Sequence, residues 1–370
     1  MLYAHWNAWG TAFDKDLILS KKWKAICVAG DPINDKAAYF FSRLLHKAAK
    51  SINSLTGGKY LAESALARAS YYLTVEAKKH QADLYIAHNL GALPAAVKAA
   101  KANKKPCGFD AEDFHRNEVS DYQNNPDVIL KTRLEDRYIP QVDYLTASSP
   151  LIAKAYEQLY PNKKPVVILN VFPDNPAIKP PVLNADGPIR LFWFSQTIGP
   201  NRGLEGVLDI LSGLKGQAFE LHLLGHISIE VQQMFEKYDS VSVYFHEPVS
   251  PDEIIPFASQ FDIGLATEER TPLNRNICLT NKIFTYIQAG LAVIASDTSA
   301  QKQFLKEYPG IGKIYENTDT EILADILLNY HQNREQLFET RKAALQLAHG
   351  KLNWETEKEK FLSIIKEIIE

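Results

Sequence analysis

Cysteine is scarce in this chain, with only Cys27, Cys107 and Cys278 among 370 residues. The three lie far apart and lack metal-ligand spacing. That argues against a disulfide framework and a cysteine zinc site, and suits small buried residues in a reducing compartment. No apolar run reaches the roughly 20 residues needed to span a bilayer. No secretory leader is expected either, because Met1-Leu2-Tyr3-Ala4-His5-Trp6 has neither a basic start nor a long apolar core. The expected location is therefore cytoplasmic. Peripheral contact with the inner membrane surface stays open, since it needs only a local patch. Charge of one sign is also lacking: a formal net charge of -3 gives no footprint for nucleic acid, and none is expected as a partner.

What is present is ordinary for a globular protein, with 46% hydrophobic and 23% charged residues. At 370 residues the chain is long enough to split into two cores. Short apolar runs alternate with helical stretches. Ala25 to Ala29 reads as a strand ended by Gly30-Asp31-Pro32, and Asp35 as the cap of a helix whose Tyr39, Phe40, Leu44 and Leu45 give it an apolar face. One long helix is expected over 61–80. Leu84 to Ala87, Cys107 to Phe109, Leu145 to Ala147 and Val166 to Leu169 read as further strands. The Leu2 to His5 segment is the only candidate for an initial strand, and it is short.

From Asn170 to Asp186 prolines interrupt the pattern, which marks a linker. A second series of strands follows at Ile189–Phe194, Phe219–Gly225, Val241–Phe245, Ile263–Ala266 and Ala292–Ala295, with helices over 203–213 and 280–289. Strands alternating with helices imply parallel sheets with crossover helices. The expectation is an α/β protein of two Rossmann-like domains facing across a cleft. Its parts are an N-terminal domain at 1–172, a C-terminal domain at 188–350, and a charged amphipathic helix at 351–370 packing back on the first.

The segment from Asn281 to Asp297 carries an asparagine-lysine pair, a helix, the Ala289-Gly290 turn and a strand ending at Ser296-Asp297. It resembles the signature of retaining GT-B glycosyltransferases, in particular the glycosyltransferase family 4, or group 1, type. Leu191 to Gly203, Leu221 to Gly225 and Ala258 to Leu265 resemble three further blocks of that family in order and spacing. The resemblance implies transfer of a hexosyl group, with retained anomeric configuration, from a nucleoside diphosphate sugar to a hydroxyl of a saccharide or glycolipid. Two other readings stand beside it: a nucleotide-sugar 2-epimerase of the same architecture, and a non-catalytic nucleotide-sugar-binding protein.

The residues bear on this chemistry directly. A departing diphosphate develops negative charge, which must be met by donors and cations already in place. Ser195-Gln196-Thr197-Ile198-Gly199 forms a polar loop at a strand end, leading to a helix whose first amides suit a phosphate. Arg202 is the expected phosphate clamp, because its planar fork matches phosphate oxygens. Gly225 follows the next strand. Lys282 marks either a nearby phosphate or an exposed residue, and Thr280 and Asn281 are either helix caps or ligand contacts. Glu268 and Glu269 follow a strand and are either donor-sugar contacts or plain surface. Gln196 stands where many family members have arginine. Thr285 stands where many have a glutamate assigned to ribose, and Ile277 stands at the partner acidic position earlier in the chain.

In the first half, His88-Asn89 ends a strand, as a cleft residue or a hydrogen-bonded loop residue. Phe109-Asp110-Ala111-Glu112-Asp113-Phe114-His115 resembles a family motif with Glu112 in place of histidine, making Asp110 and Glu112 candidate catalytic groups. Ser148 and Ser149 resemble small residues that line the cleft. No cofactor beyond the donor is implied and no metal site is assigned, although Asp110 and Glu112 would point to one side of a strand.

Overall fold

The computed structural model describes residues 1–370 except Trp6, Ser20, Asn201, 215–217, Glu236 and 318–319. The chain divides into two compact units. The first comprises Met1–Val167, Pro272–Asn274 and Leu362–Glu370; the second comprises Ile168–Thr271 and Arg275–Phe361.

In the first unit, strands β1 (Leu2–Tyr3) and β2 (Ile26–Cys27) form a separate parallel pair. A four-stranded parallel sheet runs in sequence order through β3 (Tyr85–His88), β4 (Cys107–Ala111), β5 (Tyr144–Ala147) and β6 (Val166–Val167). The strand expected at 25–29 is cut short because Ala29 and Gly30 take φ values of 64° and 68°, turning the chain out of the extended region. The helix expected over 61–80 is two, Ala62–Leu66 and Ser70–Lys79. Between them Ala67 is extended, and the Arg68 guanidinium is buried against the carbonyls of Ala29 and Gly30. A larger correction concerns the helix Lys36–Leu55. Asp35 caps it as expected, accepting from the Ala38 amide at 3.3 Å, but it buries Ser42, Ala49 and Asn53 and leaves Phe40, Leu44 and Leu45 exposed.

The second unit is built on β7 (Ile189–Thr197), β8 (Phe219–His226), β9 (Ser242–His246), β10 (Ile263–Ala266), β11 (Ala292–Ser296) and β12 (Gly312–Tyr315). These make one parallel sheet in the order β12-β11-β10-β7-β8-β9. Its inner strands are buried on both faces, which is why they read as nearly continuous apolar runs. On one face Leu191, Trp193, Leu223, Leu265 and Ile294 pack with Val207, Leu208 and Leu327 of flanking helices. On the other Phe192 stacks on Phe261 at 4.7 Å between ring centroids, and Tyr286 meets Phe192 edge-on. Gly264 admits that tyrosine, since a Cβ there would lie 2.2 Å from its ring.

The helix Asn281–Gln288 ends where Gly290 adopts φ 69°. The Gly290 amide reaches the Ile287 carbonyl and the Leu291 amide that of Tyr286, at 3.1 and 2.9 Å. This glycine-terminated stop explains the Ala289-Gly290-Leu291 sequence. Among the described residues no helix is long and apolar enough to cross a membrane.

Arg341 on the helix Arg334–Gly350 ties this unit together from within. Its guanidinium donates to Asp262 at 2.8 Å, to the Phe261 carbonyl at 2.9 Å and to the Gly290 carbonyl at 3.1 Å, all buried. Asp262 in turn accepts the Arg190 amide at 2.9 Å. Removing one partner of such a pair leaves an uncompensated buried charge, so Arg341→Leu should cost about 3–5 kcal/mol. Urea unfolding of the full chain would show it, and adding Asp262→Asn should recover part of the loss. An unchanged midpoint would mean that the pair carries no stability.

Candidate functional site

The sheet of the second unit has one topological switch point. From β7 the chain moves outward through β8 and β9, then returns to the other side of β7 to lay down β10, β11 and β12. The crossover connections after β7 and β10 therefore part in opposite directions, opening a crevice at the carboxyl ends of these strands, where open α/β sheets bind ligands. The sequence-predicted residues Ser195 and Gln196 lie in the last stretch of β7 and Gly199 and Arg202 follow it, while Glu268 and Glu269 follow β10. The structure brings all six to this one edge of the sheet.

A short hydrogen-bonded chain holds the two loops together. The Trp193 indole, in the buried middle of β7, donates to Thr267 Oγ1 at 3.1 Å. The Thr267 hydroxyl in turn donates a hydrogen bond to the Arg202 carbonyl at 2.6 Å. A buried indole N–H needs such a partner, and the partner it finds fixes the backbone on which Arg202 sits. Gly203 then caps the helix Leu204–Gly213 with no side chain over the first amides. Gly225 lies so near the β7 loop that a Cβ would meet the Ser195 carbonyl oxygen at 2.2 Å. The exposed Arg202 guanidinium thus stands next to a helix start whose cap position makes no side-chain hydrogen bond. Arg202 faces solvent, and among the described residues no carboxylate pairs with it.

Lys282 takes the opposite arrangement. Its Nζ lies 2.7 Å from Glu268 Oε1 and 5.4 Å from the centre of the Trp193 ring, with both charged side chains about 15% exposed. Lys282 thus comes to the edge of the same crevice already paired, and Glu268 is drawn inward rather than left as free surface. Glu268 is further held through its backbone, which donates to Ser296 Oγ at 2.8 Å and accepts from Asn317 Nδ2 at 2.9 Å. Thr280 takes the N-cap position with extended backbone but without a cap hydrogen bond, and its buried hydroxyl has no described partner. Asn281 is exposed beside it. Thr285 is only 1% exposed, enclosed on the inner side of its helix.

The first unit assembles a separate cluster. His88, Asp110 and Thr146 are cross-strand neighbours in register at the carboxyl ends of β3, β4 and β5. Parallel pairing at one register therefore lines up three polar side chains. Asp110 receives His88 Nδ1 at 2.8 Å on one oxygen and the Thr146 hydroxyl at 2.8 Å on the other. Glu112, just past the end of β4, brings a carboxylate oxygen into a group with His88 and Asp110 whose members all lie within 4.8 Å. Ser148 donates to the Glu112 carbonyl at 2.5 Å, while Ser149 is used as a helix cap.

The electrostatics follow from this packing. The hydrogen bond to Asp110 raises the His88 pKa above the ordinary imidazole value. Burial works against the Asp110 charge, but the bonds from His88 and Thr146 outweigh it and hold the carboxyl below its usual range. Burial and then the Asp110 charge push Glu112 upward. The result is an anionic Asp110 beside a carboxyl that more readily keeps its proton, a separation of roles suited to acid-base work. His88, Asp110 and Glu112 could also coordinate a cation, although exposed acidic groups commonly do without one.

Trp193, Thr146, Thr267 and Asn317 escape the sequence reading as site residues, and Ser296 enters it only as the end of a strand. A signal existed for Trp193 alone, as a polar N–H within an apolar run. The others act through contacts with residues far away in the chain.

The sequence matches no protein-family model and no curated protein. Solved structures of similar fold do exist. HepE of Anabaena in complex with UDP and glucose has a TM-score of 0.64 at 16% identity, over 82% of each chain. Sucrose-phosphate synthase of Thermosynechococcus elongatus has a TM-score of 0.66 at 14% identity, over 84% of this chain and 79% of its own. The pneumococcal O-GlcNAc transferase GtfA in complex with UDP and GlcNAc reaches 0.59 at 12% identity, over 82% of this chain and 60% of its own. The fold is the two-domain α/β architecture termed GT-B.

The His88–Asp110 pair makes a testable statement about pH. With the His88 pKa raised on folding, its contribution is complete below the unfolded value of about 6.5 and is lost as pH rises through the folded value. The Asp110 contribution is present above about 3.9 and is lost as pH falls through its lowered folded value. NMR titration of the imidazole should therefore show a pKa above the ordinary one, falling in Asp110→Asn. The same His88 pKa in both proteins would show that the pair does not form in solution.

Proposed function

We propose that this protein is a retaining glycosyltransferase of the group 1 type, moving a hexosyl group from a nucleoside diphosphate sugar to a hydroxyl of a saccharide or glycolipid. The observation that carries this reading is the β7–β10 switch point, where a helix start without a side-chain cap stands beside Arg202, which has no carboxylate partner among the described residues. A diphosphate fits that combination, because its oxygens accept from both. Domain 188–350 is the donor-binding part and domain 1–172 the acceptor side, with work in the cytoplasm. UDP, bound in the structures of HepE and GtfA, is the first nucleotide to try.

In the reaction the anomeric carbon loses its bond to the leaving phosphate oxygen and gains one to the acceptor oxygen. The acceptor hydroxyl proton passes to the departing diphosphate, which keeps the bonding electrons. Retention follows if attack comes from the face that the diphosphate leaves. Arg202 and the helix amides meet the developing charge, so their main contribution is electrostatic preorganisation. Gln196 supplies a neutral contact where relatives of this type place a cation, and the Lys282–Glu268 pair bounds the donor without adding net charge. His88, Asp110 and Glu112 are assigned to the acceptor side, with Asp110 favouring the protonated imidazole and orienting it.

Release of nucleoside diphosphate from a panel of donor sugars, with and without acceptors, tests the proposal. Turnover that requires acceptor is the expected result. Donor isomerisation without acceptor would instead identify a 2-epimerase, and binding without turnover a nucleotide-sugar-binding protein, for which Gln196 and the enclosed Thr285 are the motivating features.

Arg202 gives a sharper expectation. Arg202→Ala should lower kcat/KM for the donor by roughly 100-fold or more, as when one preorganised charge-stabilising donor is lost, while the melting temperature stays the same. Arg202→Lys should recover only part, since a point charge does not reproduce a fork. Wild-type kcat/KM in the alanine variant would remove Arg202 from the site.

A further inference from the structure

The helix Lys36–Leu55 presents its chemistry the wrong way round for a core helix. At about 100° per residue, its side chains sort into three stripes. Ser42, Ala49 and Asn53 face inward and are at most 7% exposed. Phe40, Phe41, Leu44, Leu45, Ile52 and Leu55 share a second stripe and are 42–87% exposed. Lys36, Arg43, Lys47 and Lys50 form the third, all exposed, and the helix contains no acidic residue.

The inward stripe fixes this orientation. Ser42 Oγ donates to the Ala29 carbonyl at 2.9 Å, and Asn53 Nδ2 donates to the Tyr60 carbonyl at 2.7 Å. Turning the aromatic stripe inward would break both bonds and bury the adjoining cations. The apolar stripe is thus held outward over the length from Phe40 to Leu55, about 22 Å at 1.5 Å per residue.

We infer that this helix docks the protein on an anionic phospholipid surface. Phe40, Phe41, Leu44 and Leu45 would enter the boundary between headgroups and acyl chains, while Lys36, Arg43, Lys47 and Lys50 would meet lipid phosphates. An apolar stripe bordered by a basic row on a helix of low overall hydrophobicity is the pattern of a helix lying in the membrane plane. The charge singles out this partner. A second copy would bring an identical cationic row to the contact, with no carboxylate on the helix to receive it. An anionic surface neutralises every cation in the row at once. Exposed apolar stripes of this size need a covering partner. The inference stands apart from glycosyl transfer, since it concerns where the protein rests and requires no turnover.

The test is cosedimentation of the full chain with vesicles of phosphatidylcholine alone or of equimolar phosphatidylcholine and phosphatidylglycerol. Binding to the anionic vesicles should be about tenfold tighter or more, given the contribution of each basic residue near a charged surface, and should weaken as salt rises. Phe40→Ser with Leu44→Ser should abolish it through the apolar stripe, and Arg43→Glu with Lys47→Glu through the basic one. Both variants change exposed residues, and an unchanged circular dichroism melt identifies them as folded. Binding to neither vesicle by the wild-type chain would overturn the proposal, as would anionic binding that survives both variants. A concentration-dependent dimer in solution, dissolved by the serine variant, would overturn it in favour of a second copy as the covering partner.

Discussion

Parallel pairing of the six strands β7 to β12 is the constraint on which the second unit depends. It sends every carboxyl end to one edge, so the loops after β7 and β10 have to share that edge. Because parallel strands need crossovers that cover both faces, the strands are apolar on both sides. Polar chemistry is therefore displaced to the strand ends. Trp193 is the exception that links the two regions: its ring lies in the core, and its N–H reaches Thr267 at the rim. A side chain buried for packing thereby fixes the carbonyl of the residue that carries the exposed guanidinium.

Charge at that rim is arranged in two ways. Lys282 and Glu268 neutralise each other over an aromatic face in a mostly desolvated position. Such a pair is costly to bury and fixes geometry more than it adds stability. Arg202 remains exposed, with its carbonyl held by Thr267 and no carboxylate partner among the described residues. The first unit follows another plan, in which strand register sets the chemistry. His88, Asp110 and Thr146 meet because three strands pair without a shift, and Asp110 is kept anionic by two donors. Glu112, outside the ladder, has no such donors among the described residues and is pushed toward its protonated form.

Much of this was legible in the sequence wherever one residue type has one physical solution. Continuous apolar runs gave the buried strands of the second sheet, Ala289-Gly290-Leu291 gave a helix stop, and Asp35 gave a cap. The first unit was harder to read. Its strands β1 and β2 have two residues each, too few for any period. The 61–80 segment looked like one helix because helical propensity is local, whereas its break at Ala67 goes with burial of Arg68 against the distant carbonyls of Ala29 and Gly30. Candidate site residues at strand ends could be named, since that is where polar residues follow apolar runs. Their partners could not, because Thr146, Thr267 and Asn317 are joined to them by register and tertiary contact.

Two strongly amphipathic helices show where pattern reading stops. In Asn281–Gln288 the apolar stripe, with Ile283, Phe284 and Ile287, is buried as the pattern requires. In Lys36–Leu55 an equally distinct stripe is left to solvent. Periodicity states that a helix has an apolar side; it does not state which side the rest of the chain will cover. The polar residues decide it. The stripe of Asn281–Gln288 includes Tyr286, whose hydroxyl finds the Leu265 carbonyl inside the sheet. In Lys36–Leu55 the small residues Ser42 and Ala49, with Asn53, allow close approach and supply hydrogen bonds to the neighbouring backbone. Large apolar residues there would hold the helix farther away. The small polar stripe takes the inward position, and the aromatic stripe is left for a partner outside the chain.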